Sequence, residues 1–153
     1  MRPRNKQKKF ETLVVDGDAL LKRAFFGAKN VFNDKKEHIG GIFQFLNILR
    51  RTLSQKHYNK VVVFWDGRYG NRARRKIYPN YKTKRRKSSS YDAESFLKQK
   101  LRAQQYLEEL YVRQYVQENM EADDLIAHYC IKKNGNEIIT IYTSDRDIVQ
   151  LVN

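Results

Sequence analysis

Val61-Val62-Val63-Phe64-Trp65 is an unbroken apolar run that stops at Asp66-Gly67. A strand with one wet face alternates apolar and polar residues. A continuous β-branched and aromatic run instead predicts a strand covered on both faces, as in a parallel sheet. Thr12-Leu13-Val14-Val15 before Asp16-Gly17 and Ile138-Ile139-Thr140-Ile141-Tyr142 before Thr143-Ser144-Asp145 have the same form. Tyr111-Val112-Arg113-Gln114-Tyr115-Val116 alternates and predicts a fourth strand. Helical spacing fills the intervals: Leu20, Leu21, Ala24 and Phe25, then Ile42, Phe45, Leu46 and Leu49 after Gly40-Gly41. A longer helix is expected from Ala93 to Leu110, with Phe96, Leu97, Leu101, Tyr106 and Leu107 available to the core. Another runs from Glu121 to Lys133 and ends at Asn134-Gly135, and a last one begins between Asp145 and Val152. Strands alternating with helices imply an α/β fold, a mainly parallel central sheet with helices on both faces.

The chain has 153 residues, enough for one domain with a real core. Residues 1–11 read as a basic flexible arm and 12–153 as the folded domain. The net charge is +14 and the pI about 9.9, an excess that points to nucleic acid or an acidic membrane surface as partner. No apolar run approaches the ~18 residues that span a bilayer. No signal-type stretch follows the amino-terminal arm, since Asp16 and Asp18 interrupt it, and the single Cys130 has no disulfide partner. These features predict a cytosolic protein that does not act on a membrane.

In an open α/β sheet, ligands collect beyond the carboxyl ends of the strands. Acids stand there after three of the apolar strands: Asp16, Asp66, and the pair Asp145/Asp147. A fourth group, Glu121-Ala122-Asp123-Asp124, opens a helix on which Glu121 and Asp124 share a face. Each motif alone has an ordinary structural explanation, because Asp-Gly is a common turn and acids in a first helical turn complement the dipole. Together they predict acids crowded at one sheet edge. Two bare carboxylates ~4 Å apart repel by roughly 4 kcal/mol at an effective dielectric of 20. Such a group calls for cations, and an oxygen-only set selects Mg²⁺ or Mn²⁺ over Zn²⁺. His38, His57 and His128 lie outside these motifs. A Mg²⁺ site in a strongly basic protein implies phosphoryl chemistry, with a metal-activated water as attacker. No Gly-rich phosphate loop and no activated Ser or Cys is present.

Between Arg68 and Lys87 the chain carries ten basic residues, no acid and three tyrosines. A block like this is either a solvated charge run or a nucleic-acid surface. Tyrosines interrupting it favour the second reading, since rings stack on unpaired bases while cations take the phosphates. Arg72, Arg75, Tyr81, Lys84 and Arg86 are the candidate nucleic-acid contacts.

The sequence resembles the 5′-nuclease family, which includes phage 5′-3′ exonucleases, flap endonucleases and the 5′-nuclease domain of bacterial DNA polymerase I. The resemblance rests on Val15-Asp16-Gly17, Phe64-Trp65-Asp66 followed by Arg74 and Tyr81-Lys82-x-x-Arg85, Glu121-Ala122-Asp123-Asp124, and Thr143-Ser144-Asp145-Arg146-Asp147. It implies a PIN-like domain with a basic helical arch at about 68–92. Asp16, Asp66, Glu121, Asp123, Asp124, Asp145 and Asp147 would surround two Mg²⁺ or Mn²⁺ ions, with Asp18 left out of the set. Lys82 and Arg85 match a basic pair that contacts the scissile phosphate, Arg74 a further phosphate-contacting arginine, and Tyr81 a stacking partner. The implied substrates are 5′ flaps, 5′ ends or primer–template junctions of DNA, with RNA–DNA hybrids in addition, in the cytoplasm of a bacterium or a phage-infected cell. In the family a helix-hairpin-helix region follows the Ser-Asp-Arg-Asp motif, grips duplex and supplies aspartates to the second metal. It is absent from these 153 residues. The expectation is therefore weak duplex grip without that region or a partner bearing it, with a polymerase as another partner. The competing readings are a PIN-type ribonuclease and a nucleic-acid-binding module without turnover.

Overall fold

The computed structural model describes residues 9–80, 90–144 and 148. Strand β1 (Phe10–Asp16) leads into helix α1 (Gly17–Gly27), and α2 (Gly40–Gln55) returns the chain to β2 (Lys60–Trp65). Helices α3 (Gly70–Ile77) and α4 (Ser90–Glu109) precede β3 (Arg113–Val116), and α5 (Ala122–Ile131) precedes β4 (Glu137–Tyr142). All pairings are parallel, in the order β3-β2-β1-β4.

Residues alternate across the two central strands as the pleat requires. Leu13, Val15, Val63 and Trp65 face a core closed by Leu20, Leu21 and Ala24 of α1, Phe45 and Leu49 of α2, and Ala103 and Leu107 of α4. Val14, Val62 and Phe64 face the other side, against Ala122 and Ile126 of α5 and Ile148. The expected two-sided burial of β1 and β2 is thus observed. Trp65 presses on the first turn of α1 so closely that a Cβ on Gly17 would lie 2.7 Å from its ring. A glycine there lets the strand end and the helix start meet.

The amino edge of the sheet is closed by Glu137, which accepts from the Thr12 hydroxyl at 2.5 Å and the Tyr129 hydroxyl at 2.9 Å and pairs with Lys60 at 3.1 Å. Among the described residues no helix is long and apolar enough to cross a membrane.

Two expectations need correction. Leu97 and Leu101 are more than half exposed, and the inner face of α4 is formed by Phe96, Gln99, Ala103 and Leu107. Gln99 is buried because its Oε1 accepts the Ile42 N–H at 3.0 Å, near the start of α2, where Ile39 supplies no side-chain cap. The strand expected from Tyr111 is β3 and begins at Arg113; Tyr111 has φ 56° and belongs to the turn after α4. The helix expected from Asp145, and the part of the basic arch at 81–89, lie outside the described residues apart from Ile148.

Candidate metal-binding active site

β1, β2 and β4 run the same way, so their carboxyl ends share one edge, and β1 and β4 meet at the point where the strand order reverses. Asp16 ends β1 and caps α1, its Oδ1 accepting the Ala19 N–H at 2.9 Å. Its Oδ2 accepts the Thr143 hydroxyl, just beyond β4, at 3.3 Å. Burial pushes the Asp16 carboxyl up to about 6, Asp66 and Asp18 push the same way, and the Ala19 and Thr143 hydrogen bonds hold it down only in part.

Asp66 is the first residue past β2. Its Oδ1 accepts the backbone N–H of Ala122 at 2.8 Å, and its Oδ2 lies 3.6 Å from Lys22 Nζ. The first N–H groups of a helix lack partners within it. Glu121, extended at φ −86° and ψ 157°, provides no side-chain cap for α5. Asp66 therefore caps α5 from another strand, which fixes β2 and α5 to each other at the acid edge.

Glu121, Asp123 and Asp124 converge on Arg74 of α3. The guanidinium lies 2.7 Å from Glu121 Oε2, 2.8 Å from Asp123 Oδ1 and 2.6 Å from Asp124 Oδ1. Asp123 also accepts the Asp124 N–H at 2.8 Å. Its carboxyl nevertheless sits above the usual range because burial outweighs the Arg74 contact. Arg74, expected as a phosphate contact, is here the shared counter-charge of three acids.

Beside these acids lies a polar pocket of about 320 Å³ lined by Lys22, Arg68, Asn71 and Arg75 together with Asp66 and Glu121. The floor is tight: a Cβ on Gly67 would meet the Gln117 carbonyl at 1.9 Å. Arg72 stacks on the Tyr69 ring at 3.7 Å.

The described acids are all oxygen donors, and an Asp16 carboxyl raised first by burial and then by Asp66 and Asp18 is what a hard divalent cation would relieve. Among the described residues no three acid, His or Cys side chains already converge as a cage. Asp145, Asp147, Lys82, Arg85, Tyr81, Lys84 and Arg86 lie outside the described residues. Sequence reasoning missed Lys22, Arg68 and Asn71 as pocket residues and Lys100 behind the acids. Lys22 follows Asp18 by one helical turn, the only signal that carried it.

The family model for the 5′-3′ exonuclease N-terminal, resolvase-like domain matches residues 11–153. This chain belongs to that family. The motifs around Asp16, Asp66, Glu121 and Asp145 had pointed to it. The domain is similar to the 5′-3′ exonuclease of Mycoplasma pneumoniae, 31% identical over 145 residues that cover 92% of this chain and 48% of the relative. It is likewise 31% identical over 144 residues to DNA polymerase I of Chloroflexus aurantiacus, covering 92% of this chain and 15% of the polymerase. A bacteriophage T5 protein co-crystallised with metal ions shares the fold at a TM-score of 0.70 and 20% identity, over 94% of this chain and 52% of that one. The phage T5 flap endonuclease in complex with DNA and metal ions gives a TM-score of 0.61 at 20% identity, over 89% and 49%. The chain thus spans about half the length of the exonuclease relative and a smaller share of the polymerase.

Proposed function

We propose that this domain hydrolyses phosphodiesters at 5′ ends and 5′ flaps of branched DNA, and of RNA in hybrids, with two Mg²⁺ or Mn²⁺ ions. One observation carries the reading. In a domain of the 5′-3′ exonuclease family, parallel strands deliver Asp16 and Asp66 to the edge where α5 presents Glu121, Asp123 and Asp124, beside a pocket lined by Lys22, Arg68 and Arg75. Two T5 relatives were solved with metal ions, one of them with DNA, and those ligands are carried over here as part of the proposal.

The chemistry divides among the residues. Asp16, Asp66, Glu121, Asp123 and Asp124, with Asp145 and Asp147 from the motif match, would hold the cations. Bound there, such ions supply an acidified water and offset charge on the leaving oxygen. Lys22, Arg68 and Arg75 attract the backbone phosphate into the pocket, and Asn71 adds a neutral amide to its wall. Lys82 and Arg85 are proposed, from the motif alone, to stabilise charge developing on the phosphate. The strong positive balance of the chain draws DNA in from a distance and makes binding fall with salt.

The test is single-turnover cleavage of a 5′-flap duplex, with a blunt duplex and a single-stranded RNA as controls. Cleavage is expected with Mg²⁺ or Mn²⁺, none in EDTA, and preference for the flap. Metal-dependent cutting of single-stranded RNA alone would replace the proposal with a ribonuclease.

A further inference from the structure

Asp18 and Lys100 form a buried ion pair directly behind Asp66. Their side chains are 5% and 15% exposed. Lys100 Nζ lies 2.9 Å from Asp18 Oδ1 and 3.0 Å from Oδ2, and it donates to the backbone carbonyl of Asp66 at 3.3 Å. Asp18 Oδ2 accepts the backbone N–H of Asp66 at 2.6 Å. The pair therefore grips the Asp66 residue by its own N–H and C=O. The Lys100 ammonium sits 5.5 Å from the centre of the Trp65 ring, which fills the space below.

This grip falls where the sheet stops supplying one. β2 ends at Trp65, whose partner in β3 is Val116, and Asp66 has no further rung. A carboxylate on the first residue past a strand swings with the two peptide planes that flank it unless other groups hold them. Here the N–H is held from α1 and the C=O from α4, the plane of the C=O also by the Gly67 N–H, which donates to the Met120 carbonyl at 2.9 Å, and the carboxylate itself is left to meet Ala122 and Lys22. Stability alone does not explain the device. Desolvating two charges is costly, and well-packed apolar residues in place of such a pair are often neutral or stabilising. Charge neutralisation does not explain it either, since each member cancels the other.

We infer that the Asp18–Lys100 pair is a positioning brace for Asp66, fixing the direction of its carboxylate and so setting the affinity of the site for its divalent ion. The inference rests on the reading of Asp66 as a metal-holding acid. It places Lys100 and Asp18 as positioning residues that reach the metal only through Asp66. Groups that orient a ligating side chain from behind typically change metal affinity or activity by about 10–100-fold when removed.

Mn²⁺ binding is measured by titration calorimetry on the wild type and on Lys100→Met, Asp18→Asn and Asp66→Ala, with thermal unfolding in EDTA as the control for folding. Methionine keeps an unbranched stem against Trp65 and removes the ammonium. The brace predicts a Mn²⁺ dissociation constant raised about 10-fold in Lys100→Met, with cooperative unfolding retained. In cleavage assays the Mn²⁺ concentration for half-maximal rate should rise by more than the maximal rate falls. Should Lys100→Met fail to fold, Asp18→Asn carries the same expectation. Wild-type Mn²⁺ affinity in a folded brace variant, with Asp66→Ala impaired, overturns the brace alone. Wild-type affinity in Asp66→Ala overturns the metal reading of Asp66 and the brace with it.

Discussion

Asp66 Oδ1 accepts the backbone N–H of Ala122 at 2.8 Å, so one acid of the candidate metal site also caps the helix at whose start three others stand. Charge and hydrogen bonding can be separated at this position. Asp66→Asn keeps an oxygen for the Ala122 N–H, whereas Asp66→Ala leaves that N–H without it. In EDTA, Asp66→Ala is expected to be about 1–2 kcal/mol less stable than Asp66→Asn, while both lose metal-dependent cleavage. Chemical denaturation and single-turnover cleavage read the two effects. Equal stabilities would show that the bond does not hold α5.

Arg74 holds Glu121, Asp123 and Asp124 through a single guanidinium. Arg74→Gln removes the charge and leaves three acids facing one another. Glu121 is buried, but Arg74, Asp123 and Asp124 are partly exposed to solvent screening, so the expected cost in metal-free protein is about 1–2 kcal/mol. A divalent ion can replace the missing charge, so the melting temperature should rise more on adding Mg²⁺ to the variant than to the wild type. Identical Mg²⁺-induced shifts would mean that Arg74 and the ion do not serve the same acids.

Asp16 gives a pH dependence whose sign is fixed. Its folded pKa, about 6, lies above the usual 3.8. Between these values the folded state binds more protons than the unfolded chain, so stability falls as pH rises from about 4 to 6 and levels off above. This holds for metal-free protein, and Asp16→Asn should remove the Asp16 share of the slope, leaving that of Asp123, whose carboxyl burial also raises. Urea unfolding in EDTA at pH 4, 5, 6 and 7 checks it, by comparing the Asp16→Asn profile with that of the wild type. A wild-type slope across this window that survives the substitution unchanged would assign the titration elsewhere.

The sequence revealed most where burial is apolar on both sides. Val61 to Trp65 could be read as a central strand because Val62 and Phe64 face one core and Val63 and Trp65 the other. Asp16 and Asp66 could be placed because each follows such a run directly. What escaped was polar burial. Gln99 and Lys100 turn inward because Ile42 and Asp18 offer partners, and hydrophobic spacing assigns those inner positions to Leu97 and Leu101 instead. Gln114 likewise spends its side chain on the Trp65 indole N–H, at 2.9 Å, rather than on solvent. The three acids gathered on Arg74 lie 47 to 50 positions away in the chain, a separation no local pattern encodes.

The pairing of β1 with β4 sets a timetable for synthesis. Thr12 and Glu137, joined at the amino edge of the sheet, stand 125 positions apart. At roughly 5–20 residues per second a ribosome needs about 6–25 s to cover that distance. For that time one flank of β1 waits without its neighbour, and Asp16 without Thr143. A nascent chain therefore carries the first acid of the site long before the edge that completes it has emerged. The half-made domain has exposed strand to protect from its neighbours on a polysome before its acid edge is complete.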